Sequence, residues 1–275
     1  LLMSVFAGVL GSILGLGGGI VVIPTLTLVY GVNIRYAIGA SIVSVIATSS
    51  GAAASYVRDH LTNVRLAIFL EIGTTLGAIT GAAIAAYVNS QFLFVLFALL
   101  LLQSAYLMWK RGKQTRKSES TEAQAHRWAN YMKFNSSYPD ALLKKEVPYL
   151  VQSVPVGFLY MLAAGLLSGL LGIGSGILKV LAMDSAMKLP IKVSSATSNF
   201  MIGVTAAASA GAYYMRGDII PSLAAPVALG VLIGSLIGAK LMTRLPAALI
   251  RKVFIVVLIL VAVQMGLRGF GIRIG

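Results

Sequence analysis

The sequence predicts an all-α polytopic membrane protein made of two homologous halves, and three observations carry that reading. Of 275 residues, 58% are hydrophobic and only 11% are charged, with a mean hydropathy of +0.89; a soluble domain carries about 25% charged residues. The apolar runs are too many and too evenly spaced for a signal peptide ahead of a soluble domain. Two glycine clusters, Gly15-Leu16-Gly17-Gly18-Gly19 and Gly172-Ile173-Gly174-Ser175-Gly176, interrupt apolar segments in the same way, 157 residues apart.

The duplication extends beyond the clusters. Gly8 to Ile20 (GVLGSILGLGGGI) matches Gly165 to Ile177 (GLLSGLLGIGSGI). Ala40-Ser41 aligns with Ala196-Thr197, Tyr56-Val57-Arg58 with Tyr214-Met215-Arg216, and Gly77 and Gly81 with Gly234 and Gly238. The chain divides into a first membrane repeat at residues 1–109, a basic cytoplasmic loop at 110–149 and a second membrane repeat at 150–275. It opens at Leu1-Leu2-Met3 inside an apolar run, where earlier residues are expected.

Each half holds four segments. The three long ones are residues 35–57, 66–88 and 92–109 in the first half and 193–215, 219–241 and 249–267 in the second. Each has the roughly 20 residues that cross a core about 30 Å thick. The fourth segment is broken. Residues 2–30 as one helix would span about 43 Å at 1.5 Å per residue, and the pieces 2–14 and 20–30 are each too short to cross alone. Residues 155–187 repeat the problem. Glycine costs about 1 kcal/mol relative to alanine within a helix, and opened backbone in lipid is tolerated only where protein or a cavity covers it. Either each broken segment crosses once with an unwound middle, or it turns at the glycines and leaves on the side it entered. The first alternative gives parallel repeats and the second inverted repeats. Both satisfy the positive-inside rule, and inversion with re-entrant helical hairpins satisfies it by the wider margin.

A net charge of +14 would raise nucleic acid as a partner in a soluble protein. Here nine of the 22 Lys and Arg lie between Lys110 and Lys145, beside membrane spans, as the positive-inside rule produces. With no cysteine, thiol relays and Fe–S clusters are excluded. The loop reads as a solvated connector, with Trp128, Tyr131, Phe134 and Tyr138 spaced as a surface helix.

With these motifs in place, the chain resembles the TauE/SafE (TSUP) family of sulfite and organosulfonate transporters. The resemblance rests on the two glycine motifs in register and on Ser195-Ala196-Thr197-Ser198-Asn199-Phe200-Met201, and covers all but the basic loop. It implies a multi-pass permease of the prokaryotic plasma membrane for a small sulfur-containing anion such as sulfite, a sulfonate or sulfoacetate. Two positions depart from the family pattern: Ser175, where glycine is expected, and Leu181, where the first half has Pro24.

A small anion in a low-dielectric site needs hydrogen-bond donors and positive potential. The start of a half-helix supplies both, at about 1 kcal/mol and up to about 2 when partly buried. Gly17, Gly18 and Gly19 precede one such start, and Gly174, Ser175 and Gly176 the other. The competing reading is close helix packing, which accounts for Gly8, Gly11, Gly77, Gly81, Gly234 and Gly238. Lys179, one turn into the second half-helix, neutralises a bound anion, pairs with Asp184 or snorkels to an interface. Ser41, Ser44 and Thr48 share one helix face, and Thr197, Ser198 and Asn199 take the equivalent place in the other half. These side chains either complete an anion's hydrogen-bond shell or bond back to their own helices. Glu71 either carries a coupling proton or pairs with Arg65 near the interface.

No enzyme is expected: neither histidine lies in a predicted span, and the sequence holds no HExxH motif or paired intramembrane aspartates. No cofactor or metal is required. The partners predicted are the anion and the bilayer, with a coupling proton or sodium ion and a homodimer compatible with the class. An anion channel and a membrane scaffold or sensor acting through the basic loop are the alternatives.

Overall fold

A computed structural model describes residues 2–85, 87–114, 127–140, 145–171 and 175–270. Each predicted segment is a helix, in the order α1 (Leu2–Leu14), α2 (Gly19–Pro24), α3 (Ile34–Arg58), α4 (Val64–Ala85), α5 (Ser90–Gln114), then α7 (Val154–Leu171), α8 (Gly176–Leu181), α9 (Ile191–Met215), α10 (Pro221–Arg244) and α11 (Ala247–Gly269). The short α6 (Arg127–Tyr131) and the strands β1 (Ser136–Asp140) and β2 (Lys145–Tyr149) lie between the halves. Asn33 caps α3, its Oδ1 accepting from the Arg35 amide at 3.0 Å, and Pro221 opens α10 at a position where no amide is needed.

Among the described residues, four helices are long and apolar enough to cross a membrane: α3, α4, α10 and residues 248–267 of α11. Their outer faces carry rows of exposed aliphatic side chains, such as Ile68, Ile72, Leu76 and Ile79 on α4. Helix α9 is as long as α3, but a buried stripe of Ser194, Ser195, Thr197, Ser198, Asn199, Thr205 and Ser209 lowers its hydropathy.

Both broken segments form two helical limbs. After Pro24, α2 passes into a π turn at Thr25–Val29, with the Thr27 hydroxyl donating to the Ile23 carbonyl at 2.8 Å. The π turn recurs after α8 at Ala182–Ala186, although Leu181 stands in place of the proline. The departure at Leu181 therefore leaves the backbone path unchanged.

The halves interlock. Helix α1 of the first half packs on α10 of the second, and α7 of the second on α4 of the first. A Cβ on Gly8 would strike the Val231 carbonyl, one on Gly77 that of Leu162, and one on Gly165 that of Thr74. These glycines pack backbone on backbone, as do Gly81 on Leu166 and Gly234 on Val5. Among the other cross-half contacts, α3 meets α9 and α10, α4 meets α9, and α5 meets α11.

The region between the halves departs from the expected surface helix. Among the described residues after α5, Arg127–Tyr131 is helical; β1 and β2 then pair antiparallel, Tyr138 facing Val147. Phe134 and Tyr138 are buried, while Tyr131 is exposed. The hairpin is fastened to the bundle. Asn63 Nδ2 donates to the Phe134 carbonyl at 2.7 Å and to the Tyr149 hydroxyl at 3.1 Å, and Lys192 reaches Asp140 at 3.3 Å. Burial raises the Tyr149 phenol, and burial beside Asp140 pushes Tyr138 up to about 12.

Candidate functional site

The two glycine breaks touch each other. A Cβ built on Gly176 would strike the Gly15 carbonyl and lie 2.6 Å from Leu16 Cα; one on Gly15 would lie 2.6 Å from the Ser195 carbonyl. Gly15 and Gly17 hold positive φ of 71° and 70°, a region glycine enters without strain. Ser175 holds φ 55° without that freedom. The glycine expected there from the resemblance thus has a backbone reason, and the serine is strained. Gly11 packs on the returning chain, its Cβ position 2.6 Å from Gly17 C. Gly19 begins α2 and is buried. Gly172 and Gly174 lie outside the described residues.

Helix α9 stitches this junction together. Ser198 donates from Oγ to the Gly15 carbonyl at 2.6 Å and lies 3.3 Å from that of Gly176. Asn199 Nδ2 donates to the Ser12 carbonyl at 2.6 Å, and Ser195 Oγ lies 3.4 Å from that of Leu14. Tyr56 adds a second donor to the Ser12 carbonyl at 3.0 Å. The Ser12, Leu14 and Gly15 carbonyls lie at the end of α1, where carbonyls lack a full set of intrahelical partners, and Gly176 opens α8. So Ser198 and Asn199 bind carbonyls at the two breaks, and Asn199 also donates to the Ser195 carbonyl of its own helix at 3.1 Å. On the amide side, Gly18 N–H donates to Thr48 Oγ1 at 3.1 Å.

Other residues singled out above lie elsewhere. Thr197 Oγ1 accepts from the Asn63 amide at 3.1 Å, on the face that carries the hairpin. Ser44 bonds back to the Ala40 carbonyl at 2.8 Å, and Ser41 is buried in α3.

Lys179 is wholly enclosed, and its Nζ donates to Glu71 Oε2 at 3.0 Å and to Thr205 Oγ1. Thr205 donates to Glu71 Oε1 at 2.5 Å, and Thr75 lies 3.2 Å from the same oxygen. Neither of the pairings weighed from sequence is formed: Asp184 is bound by Arg251 at 3.0 Å, and Glu71 by Lys179 rather than Arg65. Lys179 does not snorkel, because its ammonium points into the bundle. A charged pair of this kind is costly to bury and marks function by default in a membrane helix.

The repeat spacing of 157 residues reveals what is asymmetric. Helices α3 and α9 begin 157 residues apart and are both 25 residues long. Tyr56 and Tyr213 bind the Ser12 and Gly169 carbonyls at the same spacing. Within these helices Thr48 therefore corresponds to Thr205 and Ser41 to Ser198, one residue away from the sequence alignment given above. Lys179 corresponds to Val22 and Glu71 to Ala228. Where one half buries Lys179, Glu71 and Thr205, the other packs Val22 in an apolar cluster with Ala7, Leu26, Val227 and Val231. Sequence reasoning missed Thr205, Ser195, Tyr56 and Arg251; the spacing itself pointed to Thr205.

A cleft of about 470 Å³ lies away from the junction, between the hairpin and the bundle, lined by Asp59, Leu61, Pro139, Asp140, Lys145, Glu146 and Thr243.

Interlocked apolar helices, paired breaks and a buried ion pair define a multi-pass membrane transporter. A family model described as sulfite exporter TauE/SafE matches residues 1–265, and the chain belongs to that family. It is 29% identical over 225 residues to the probable membrane transporter protein YunE of Bacillus subtilis, covering 79% of this chain and 78% of that protein. It is 30% identical over 264 residues to a probable membrane transporter protein of Xylella fastidiosa, covering 93% and 90%. A probable membrane transporter protein of Methanocaldococcus jannaschii is 25% identical over 211 residues, covering 74% and 67%. No solved structure matches the chain.

Proposed function

We propose that the protein is a secondary-type permease for a small sulfur-containing anion such as sulfite, a sulfonate or sulfoacetate, in a prokaryotic plasma membrane. The anion binds where the two breaks meet, with Lys179 as its counter-charge. The observation that carries this reading is a wholly buried ammonium one turn beyond a break that rests on the other break. Ser198, Asn199 and Thr205 supply switchable donors around it. In the conformation described, Ser198 and Asn199 are engaged with carbonyls, so admitting an anion requires the two breaks to separate.

Inverted repeats with re-entrant hairpins suit this function, and helix directions support both. Helices α5 and α11 run antiparallel, Val95 against Gly269 and Ala98 against Gly266. Helix α1 runs with α10, Val5 by Gly234 and Val9 by Gly238. Helix α3 runs with α10 too, Gly39 by Ile219 and Gly51 by Leu232. Since α1 and α3 share a direction, the chain between them doubles back. The second half repeats this. Helix α7 follows α4, Gly73 by Phe158 and Gly81 by Leu166, while α9 follows α4 from Glu71 at Thr205 to Ala82 at Arg216.

The test is uptake by proteoliposomes of sulfite, thiosulfate, sulfoacetate, methanesulfonate, taurine and small carboxylates. Wild type carries one or more of the sulfur anions, and Gly18→Val, Ser175→Val and Lys179→Met lose that flux. Normal transport by all three variants would overturn the site.

A further inference from the structure

The buried pair fixes how charge is handled when the anion binds, and resting on the reading above, we infer that Glu71 takes up a proton as a monovalent anion replaces it on Lys179. The exchange balances: Lys179 ammonium with Glu71 carboxylate, plus anion and proton, becomes Lys179 ammonium with anion and neutral Glu71 carboxyl. The enclosed site is neutral before and after. Without the proton, two negative groups would share one ammonium in a site that already penalises a single unpaired charge.

The hydrogen bonding permits the switch. Glu71 Oε2 faces Lys179, while Oε1 faces Thr205 and Thr75. A hydroxyl that donates to a carboxylate can turn and accept from a carboxyl, so neutral Glu71 keeps its partners after Lys179 leaves.

Among the described residues no other charge stands close enough to do the same work. Helix α7, packed along α4, carries no charged residue. In α9, Lys192 is near the first turn and bound to Asp140, and Arg216 follows the last turn and is bound to Asp218. The charges of α5 begin at Lys110, near its end. The π turn after α8 brings Asp184, which Arg251 of α11 holds. On α4 itself the other charge is Arg65, which is exposed. The pair also selects valence: a sulfonate monoanion substitutes for a carboxylate charge for charge.

The experiment follows methanesulfonate, which stays monovalent across the pH range used, into proteoliposomes loaded with a pH-sensitive dye. Wild type is expected to accumulate it under an inward proton gradient, to bring in a proton with each anion, and to ignore a potassium–valinomycin potential because the cycle is electroneutral. Glu71→Gln is expected to lose accumulation above equilibrium. Potential-driven flux without dye response, or gradient-driven accumulation by Glu71→Gln equal to wild type, would overturn the coupling and leave the anion site standing. So would transport of another anion of the panel with no flux of methanesulfonate. If Lys179→Met carries methanesulfonate like wild type, the anion site itself fails, which is a separate outcome.

Discussion

Removing either member of the Lys179–Glu71 pair alone should destabilise the fold far more than removing both. Lys179 is fully enclosed with its Nζ 3.0 Å from Glu71 Oε2, so Lys179→Met strands a carboxylate with only Thr205 and Thr75 for company. Stranding one charge of a buried pair costs about 3–5 kcal/mol, whereas replacing both by apolar residues of similar volume is often neutral. The other half of the molecule already uses the apolar solution, with Val22 and Ala228 at the corresponding positions. The double variant Lys179→Met with Glu71→Leu should therefore recover most of what each single variant loses, a coupling of roughly 3 kcal/mol. Thermal unfolding in detergent, read by size-exclusion fluorescence, ranks the four proteins. The expected order is wild type and double variant together, with both singles well below. All three variants should fail to transport, which separates stability from function. Singles as stable as wild type, or a double as unstable as the two losses summed, would refute the argument.

Three further outcomes follow from the same geometry. Gly176→Ala drives a Cβ into the Gly15 carbonyl and should abolish transport and lower stability, while Gly211→Ala in α9 meets nothing within 4 Å and should be neutral or stabilising by about 0.5–1 kcal/mol; expression and unfolding midpoints compare the two. Ser198→Ala removes the donor to the Gly15 carbonyl and should cost about 1–3 kcal/mol, measured the same way. Tyr138, pushed up to about 12 by burial beside Asp140, should ionise well above the usual tyrosine value near 10. Because its folded value is raised, its contribution to docking the hairpin is whole below pH 10 and lost as pH climbs from 10 through 12; tyrosinate absorbance with and without Tyr138→Phe reads this.

Much of the fold was legible because length and periodicity are strong signals in a membrane chain. The first limb ends at Leu14, as length arithmetic predicts, and the long helices match the expected spans to within a few residues, except at the end of α5. The one-residue error in aligning α3 with α9 arose from matching residue types, Tyr56 with Tyr214; only the shared bonds to the Ser12 and Gly169 carbonyls reveal Tyr213 as the counterpart. The hairpin was missed because aromatics at three-to-four spacing mimic a helix, although Tyr138 and Asp140 also alternate with exposed neighbours as a strand does. The partner of Lys179 lies 108 residues away across the two halves, a tertiary choice that no local pattern encodes. The sequence did expose the imbalance behind it, an acid and a base each matched by an apolar residue in the duplicate.

That imbalance constrains mechanism further than the duplication does. A symmetric pair of breaks would offer two equivalent positions and no preference between them. The apolar cluster around Val22 leaves the first-half position with no charge to attract an anion, so under the proposed function the anion is drawn to the second-half side. Thr48 and Thr205 mark the difference. Thr48 satisfies a backbone amide at Gly18 and its hydroxyl returns to the Ser44 carbonyl, which makes it part of the frame. Thr205 instead joins two ionised side chains whose relationship can change. On the proposed mechanism one half of the repeat therefore supplies a fixed support and the other a site with two charge arrangements, which is what a carrier that binds and then releases an anion needs.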